Sequence, residues 1–242
     1  MKYLLTLLLL GQIIMAATIQ HIEVNGLKIP LIYEEDRRLP LATMQFTFTN
    51  SGSITDTDKA GLAKMSARIM NEGTKTLGSS AFAEELESKA IHISASTGVE
   101  TFVMEVGSLK VNFDDALGYF ESLLKDPNFT QDALTKVKTT TIGALSRKEN
   151  DFDYIASNEL KAVLFKGSVL ASPSSGTVKS IESIELEDIK AFIDKNIISS
   201  KLIVVLGGDV DLEDVKKKIT KIISTLYKGK KTKVSNYSVV SD

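Results

Sequence analysis

The chain has 242 residues, 43% of them hydrophobic and 25% charged, and a formal net charge of −2 at pH 7. This length suits one large domain or two small ones, and the near-neutral balance supplies no global field that would draw the chain to nucleic acid or an anionic membrane. Cysteine is absent, which excludes disulfides, thiolate nucleophiles and cysteine-based zinc sites.

Residues 1–17 read as a secretory signal peptide, with Lys2, an apolar run from Leu4 to Met15, and the small pair Ala16 and Ala17. The run is shorter than the roughly 20 residues of a membrane span. The chain is therefore expected to be exported, to a bacterial periplasm, with a mature start near Ala17 or Thr18. Next, Asn25-Gly26 between two alternating apolar runs predicts a hairpin. Ala42, Met44, Phe46 and Phe48 alternate with Thr43, Gln45, Thr47 and Thr49, which predicts a strand with one buried and one wetter face. A helix over 58–72 carries Leu62, Met65 and Ile69 as its apolar stripe, and a second over about 79–90 has Ser79 or Ser80 as its cap.

Two strands meeting at Thr97-Gly98 follow, then a helix with Asn112 as N-cap, holding Leu117, Phe120 and Leu124 and stopped by Pro127. Residues 130–148 and 152–165 read as two more helices, followed by a loop, "KGSVLASPSSGTVKSI". A short helix near 186–195 leads into "KLIVVLGGDV", a continuous apolar run suited to a buried strand. A last helix over about 211–227 turns Val215, Ile219, Ile222 and Ile223 inward. Strands clustered before and after helices favour an α+β fold, a mostly antiparallel sheet with helices layered on one face.

Five segments, in register, carry a resemblance. They are "VNGLKIPLIYEEDRRLPLATMQFTFTNSGS", the helix entry "AGLA", "IHISASTGVETFVMEV", "LFKGSVLASPSSGTVKSI" and "LEDIKAFIDKNIISSKLIVVLGGDVDLEDV". Together they resemble the M16 zinc metallopeptidases, the family of insulinase, pitrilysin and mitochondrial processing peptidase, from about Ile22 to the last helix. The resemblance implies a LuxS/MPP-like metallohydrolase fold over 18–227. Because subunits of that family usually hold two such domains, it also implies that 228–242 is a linker or tail toward a second one.

Members that cleave peptides carry an inverted zinc motif, H-x-x-E-H, directly after Gly-Leu-Ala. Its histidines bind zinc, its glutamate activates water, and a later glutamate completes the metal site. Positions i, i+3 and i+4 share one helical face, so these groups converge on one ion. Here Gly61-Leu62-Ala63 is followed by Lys64-Met65-Ser66-Ala67-Arg68, with cations in both histidine places and a methyl in place of the base. The later ligand position falls at Gly143 or Ala144. A cation ~4 Å from like charge is opposed by several kcal/mol even at a surface-like dielectric. The resemblance thus implies a non-catalytic member without zinc of its own, whose partner is a zinc-bearing M16 subunit or a second M16-like domain, and whose ligand is a peptide substrate.

Lys64 and Arg68 have two readings, as contacts to substrate carboxylates or a partner, or as a solvated pair on an exposed helix face. Ser94, Ala95, Ser96 and Thr97 match the family's Asn-Ala segment, on the strand that takes up substrate backbone by β-augmentation. The same four also read as a strand end entering a turn. Imidazole metal chemistry would need His21 and His92 to meet in space, and both read better as packed or surface residues. Gly207-Gly208-Asp209 lacks the spacing of a phosphate loop and reads as a strand-to-helix turn. Two further functions stay open: a stand-alone exported binding or scaffold protein, and an active peptidase with an unusual site.

Overall fold

The computed structural model describes residues 17–230, so all but the last residue of the segment read as a signal peptide, 1–17, and all but the first three residues of the expected tail, 228–242, lie outside the described residues. Asn25 (φ 53°) and Gly26 (φ 71°) both take left-handed backbone, as a tight two-residue hairpin turn requires. They join β1 (Thr18–Val24) to β2 (Leu27–Glu35) in an antiparallel pair. In β3 (Leu41–Thr49) the alternation becomes burial: Ala42, Met44, Phe46 and Phe48 are all 0% exposed, while the threonines between them stay wetter. β4 (His92–Thr97) and β5 (Thr101–Leu109) form the second hairpin, and β5 lies antiparallel to β3. β6 (Leu202–Gly208) inserts between β2 and β3, parallel to the first and antiparallel to the second. The six-stranded order is β1-β2-β6-β3-β5-β4, so β1 and β4 are its edges.

Eight α-helices lie among the described residues: α1 (Leu62–Met70), α2 (Gly78–Ser88), α3 (Phe113–Lys125), α4 (Gln131–Arg147), α5 (Phe152–Leu164), α6 (Val178–Ser183), α7 (Leu186–Asn196) and α8 (Leu212–Ser224). The inward side chains of the sheet pack under α2, α3, α7 and α8 in the main core, where Phe46 meets Phe120 of α3 edge-to-face at 5.0 Å. A second, smaller core gathers Met65 and Ile69 of α1 with Leu134 and Val137 of α4, Ile181, Ile184 and Ile189. This is the α+β arrangement of one sheet with helices layered against it that the element order predicts. α1 is wedged between the cores, giving Ala63, Ala67 and Met70 to the sheet side and Met65 and Ile69 to the other. At about 100° per residue, only Lys64, Arg68 and Asn71 remain on its outer stripe.

The structure departs from the sequence expectations at three places. The loop after α5 contains α6, because Thr177 and Ser180 form a reciprocal capping box and Ile181 anchors the turn in the second core. Neither Ser79 nor Ser80 caps α2, which begins at Gly78; the Ser79 hydroxyl instead donates to Glu72 at 2.6 Å. Asn112 does not cap α3 with its side chain: a short 3-10 turn leads into that helix, and the Asn112 amide donates to the Lys89 carbonyl at 2.6 Å.

Candidate functional site

Asp56 fixes the entry to α1. It is 3% exposed, and its carboxylate accepts the N–H groups of Gly61 at 3.0 Å and Ala63 at 2.8 Å, two donors that the first turn of a helix leaves unpaired. Burial pushes the Asp56 pKa up to about 6, against the main-chain hydrogen bonds of Ala63, Gly61 and Leu62, which pull it down. Gly61, at φ 91°, approaches Gly176 so closely that a Cβ would stand 2.9 Å from the Gly176 nitrogen. A Cβ on Gly176 would stand 2.6 Å from the Ala60 carbonyl oxygen. This backbone-to-backbone approach seats the loop carrying Ser175 against the start of α1.

Lys64 and Arg68 leave α1 one turn apart and both are half-buried. The Lys64 ammonium donates to the Ser175 hydroxyl at 3.3 Å, and the Arg68 guanidinium donates to the Thr141 hydroxyl on α4. Burial lowers the Lys64 pKa, and the positive charges of Arg68 and Lys148 lower it further. Neither Lys64, Arg68 nor Lys148 forms an ion pair among the described residues. Lys148 caps the C-terminal end of α4 and lies over the Tyr154 ring, 4.7 Å from its centre. Ala67 is 3% exposed and belongs to the sheet-side core. Gly143 and Ala144 are half-buried on α4, and the Arg147 guanidinium passes 3.8 Å from where a Gly143 Cβ would be.

Ser94, Ala95, Ser96 and Thr97 lie on the edge strand β4, beside α1. Asn71 joins the two elements: its amide donates to the Ala95 carbonyl at 2.9 Å and its side-chain oxygen accepts the Ala95 N–H at 2.7 Å. One side chain thereby occupies both outward main-chain groups of Ala95, as a residue of a neighbouring strand would. Asp56, Asn71, Thr141, Lys148 and Ser175 escaped the sequence reading. Only Asn71 carried a local signal, since it stands seven positions after Lys64 and so repeats the outer stripe.

His21 lies on β1 and His92 on β4, at opposite edges of the sheet, so the two imidazoles do not converge. No group of three or more His, Cys, Asp or Glu side chains is arranged to hold a metal ion among the described residues. The donor set at the outer stripe of α1 is ammonium, guanidinium and carboxamide, of which the first two repel a divalent cation; these residues do not fit a zinc ion. Gly207 and Gly208 end β6 and Asp209 begins the turn toward α8, its N–H donating to the Leu41 carbonyl at 2.9 Å.

Residues 35–178 match the family model described as Insulinase (Peptidase family M16). A Helicobacter pylori protein named "Non-peptidase homolog YmxG" is 42% identical over 232 residues, covering 95% of this chain and 53% of that protein. The chain thus spans about half the length of this relative. Among solved structures, a peptidase M16 inactive domain from Pseudomonas fluorescens superposes with a TM-score of 0.84 at 23% identity, over 91% of this chain and 54% of that one. The periplasmic protease PqqL from Escherichia coli superposes with a TM-score of 0.77 at 16% identity, over 93% of this chain and 26% of that one. Both similarities speak to the fold.

Proposed function

Because this chain belongs to the insulinase family, peptidase family M16, and holds Lys64, Ala67 and Arg68 in the frame of the zinc motif, we propose that it is a non-catalytic subunit or half-subunit of a peptide-processing assembly. In this reading a zinc-bearing M16 unit, either a separate chain or a second domain, supplies the chemistry. This chain supplies one wall of the substrate chamber, with the edge strand from Ser94 to Thr97 as peptide-facing surface and no metal of its own. The observation that carries the proposal is the family frame kept intact around cations, Gly61-Leu62-Ala63 followed by Lys64 and Arg68.

Two features support a partner. The relative described above is about twice as long as the matched region. In addition, α5 buries no residue among those described, and its outward side presents Phe152 at 84% and Val163 at 72% exposure, with Leu160 and Leu164 beside them. A contiguous exposed apolar face marks a contact surface more often than free surface. The hydrophobic start of the chain and the likeness to a periplasmic protease support a place outside the cytoplasm.

The test is reconstitution. The purified chain should contain no stoichiometric zinc and should not hydrolyse peptides; mixed with an M16 relative carrying intact H-x-x-E-H from the same organism, it should form a complex that does. Stoichiometric zinc in the isolated chain together with chelator-sensitive hydrolysis would overturn the proposal, as would full activity of the zinc-bearing relative alone with no complex formed.

A further inference from the structure

Positive charge gathers at the outer stripe of α1, and no carboxylate among the described residues pairs with it. Lys64 and Arg68 project from α1, Lys148 from the end of α4, and Arg147 lies back over Gly143. Lys64 and Arg68 are half-buried and Arg147 and Lys148 exposed, and none of the four has a carboxylate within ion-pair distance among the described residues, although the half-buried Lys59, Lys89 and Lys218 each have one and the buried Lys201 meets carbonyl oxygens. The ties that hold two of them are to neutral hydroxyls, Ser175 and Thr141. A hydroxyl fixes the position of a cation without neutralising it. Half-buried like charges packed this way oppose folding, and a bound anion would relieve that opposition.

We propose that Lys64, Arg68 and Lys148 form a receiving site for the carboxylates of an extended acidic peptide. Three features of the structure select this ligand. Arg68 uses one guanidinium nitrogen on Thr141, and the planar fork keeps further donors suited to a carboxylate. Lys64 and Arg68 stand one helical turn apart, about 5–6 Å, a spacing that side chains of an extended peptide at i and i+2 match. Finally, the stripe runs directly into the edge strand: Asn71, the third member of the stripe, holds Ala95 of β4. A peptide laid beside β4 would therefore carry its acidic side chains over the cations. The Asn71 amide already fills the outward groups of Ala95 in the geometry a peptide backbone would use, so it acts as a placeholder that the peptide displaces or pairs beside.

The site rests on the reading of β4 as a peptide-facing edge, but it needs only the isolated chain, so its test is independent of the partnership proposed above. A dye-labelled ten-residue peptide alternating Glu and Ser is titrated with the full chain by fluorescence anisotropy, beside the same peptide with Gln for Glu. The Glu peptide is expected to bind roughly tenfold or more tightly, as charge-assisted hydrogen bonds to two cations imply, and the preference should shrink as salt is raised. The double variant Lys64→Gln/Arg68→Gln should lose the preference, while Lys190→Gln, on α7, should keep it. Thermal melts of each variant establish that it is folded. Should the double variant fail to fold, the comparison of Glu and Gln peptides on the unaltered chain still decides. Competition with inorganic phosphate separates sources: displacement of the peptide only at concentrations far above that of the peptide supports the peptide site, and equal potency of phosphate would show a simple anion site and overturn the peptide assignment. Equal binding of the Glu and Gln peptides, or an unchanged preference in the double variant, overturns the proposal.

Discussion

Replacing Asp56 with alanine should destabilise the protein, and by less as the pH rises. The Asp56 carboxylate is 3% exposed and accepts the Gly61 and Ala63 N–H groups. Burial holds its pKa up at about 6, whereas an unfolded aspartate titrates near about 4. An acid with a higher pKa folded than unfolded binds more protons when folded, so the stability it confers is greatest at low pH and falls as the pH rises from about 4 to about 6. The gap of about 2 pKa units is worth about 3 kcal/mol in all, of which about 2 kcal/mol is lost between about pH 4.5 and about pH 8. In the alanine variant two buried donors at the start of α1 lose their acceptor, a cost of about 2–4 kcal/mol on the acid side. The variant lacks the pH slope, however, so its deficit relative to the unaltered protein should shrink by about 2 kcal/mol at the higher pH. Urea unfolding followed by circular dichroism, on both proteins at both pH values, measures this difference of differences. A deficit that stays constant or grows toward high pH would refute the reasoning, and would mean that the helix N-terminus outweighs burial and holds the carboxylate ionised.

Ser66 is fully buried in α1 and its hydroxyl has no hydrogen-bond partner among the described residues, so Ser66→Ala should raise stability by about 1 kcal/mol through the loss of an unsatisfied polar group and a gain in helix propensity, seen as a higher urea midpoint. Asn71→Ala removes both bonds to Ala95; a loss of about 1–3 kcal/mol is expected, with faster hydrogen exchange at the Ala95 amide as its local signature. A Cβ on Gly52 would stand 2.4 Å from the carbonyl oxygens of Gly98 and Val99, so Gly52→Ala should displace the β4–β5 turn and lower stability by about 1–3 kcal/mol, measurable by thermal melting. Phe46→Ala opens the main core beside Phe48 and Phe120 and should cost about 3–5 kcal/mol in the same assay.

Features encoded within a few residues were legible in the sequence. The Asn25-Gly26 turn, the alternation of β3 and the apolar run of β6 each state their geometry locally, and each formed as expected. What escaped depends on partners far along the chain. Nothing near Leu202 says that β6 will lie between β2 and β3, and nothing near Asp56 says that its acceptors serve a helix several residues later. α6 was hidden because its capping box is made of Thr and Ser in a segment whose composition reads as loop. At the site, the frame of Lys64, Ala67 and Arg68 could be read from the resemblance to the M16 family, but the half-burial of the cations could not. Nor could their ties to Thr141 and Ser175, since hydroxyl residues carry no sequence mark of whom they meet.

The central place of β6 has a consequence for how the molecule is made. Its ladders to β2 and β3 are what join the β1–β2 hairpin to the β3–β5–β4 group. Until residues 202–208 have left the ribosome, the two groups share no strand pairing, and the apolar faces of Phe46, Phe48 and Met44 have only part of their cover. Such long-range closure makes folding slow and delays it until residues 202–208 have emerged. Until then the stretch from β1 to β6 stays loose, the form in which a polypeptide can pass through a narrow pore or fall to a chaperone before it sets.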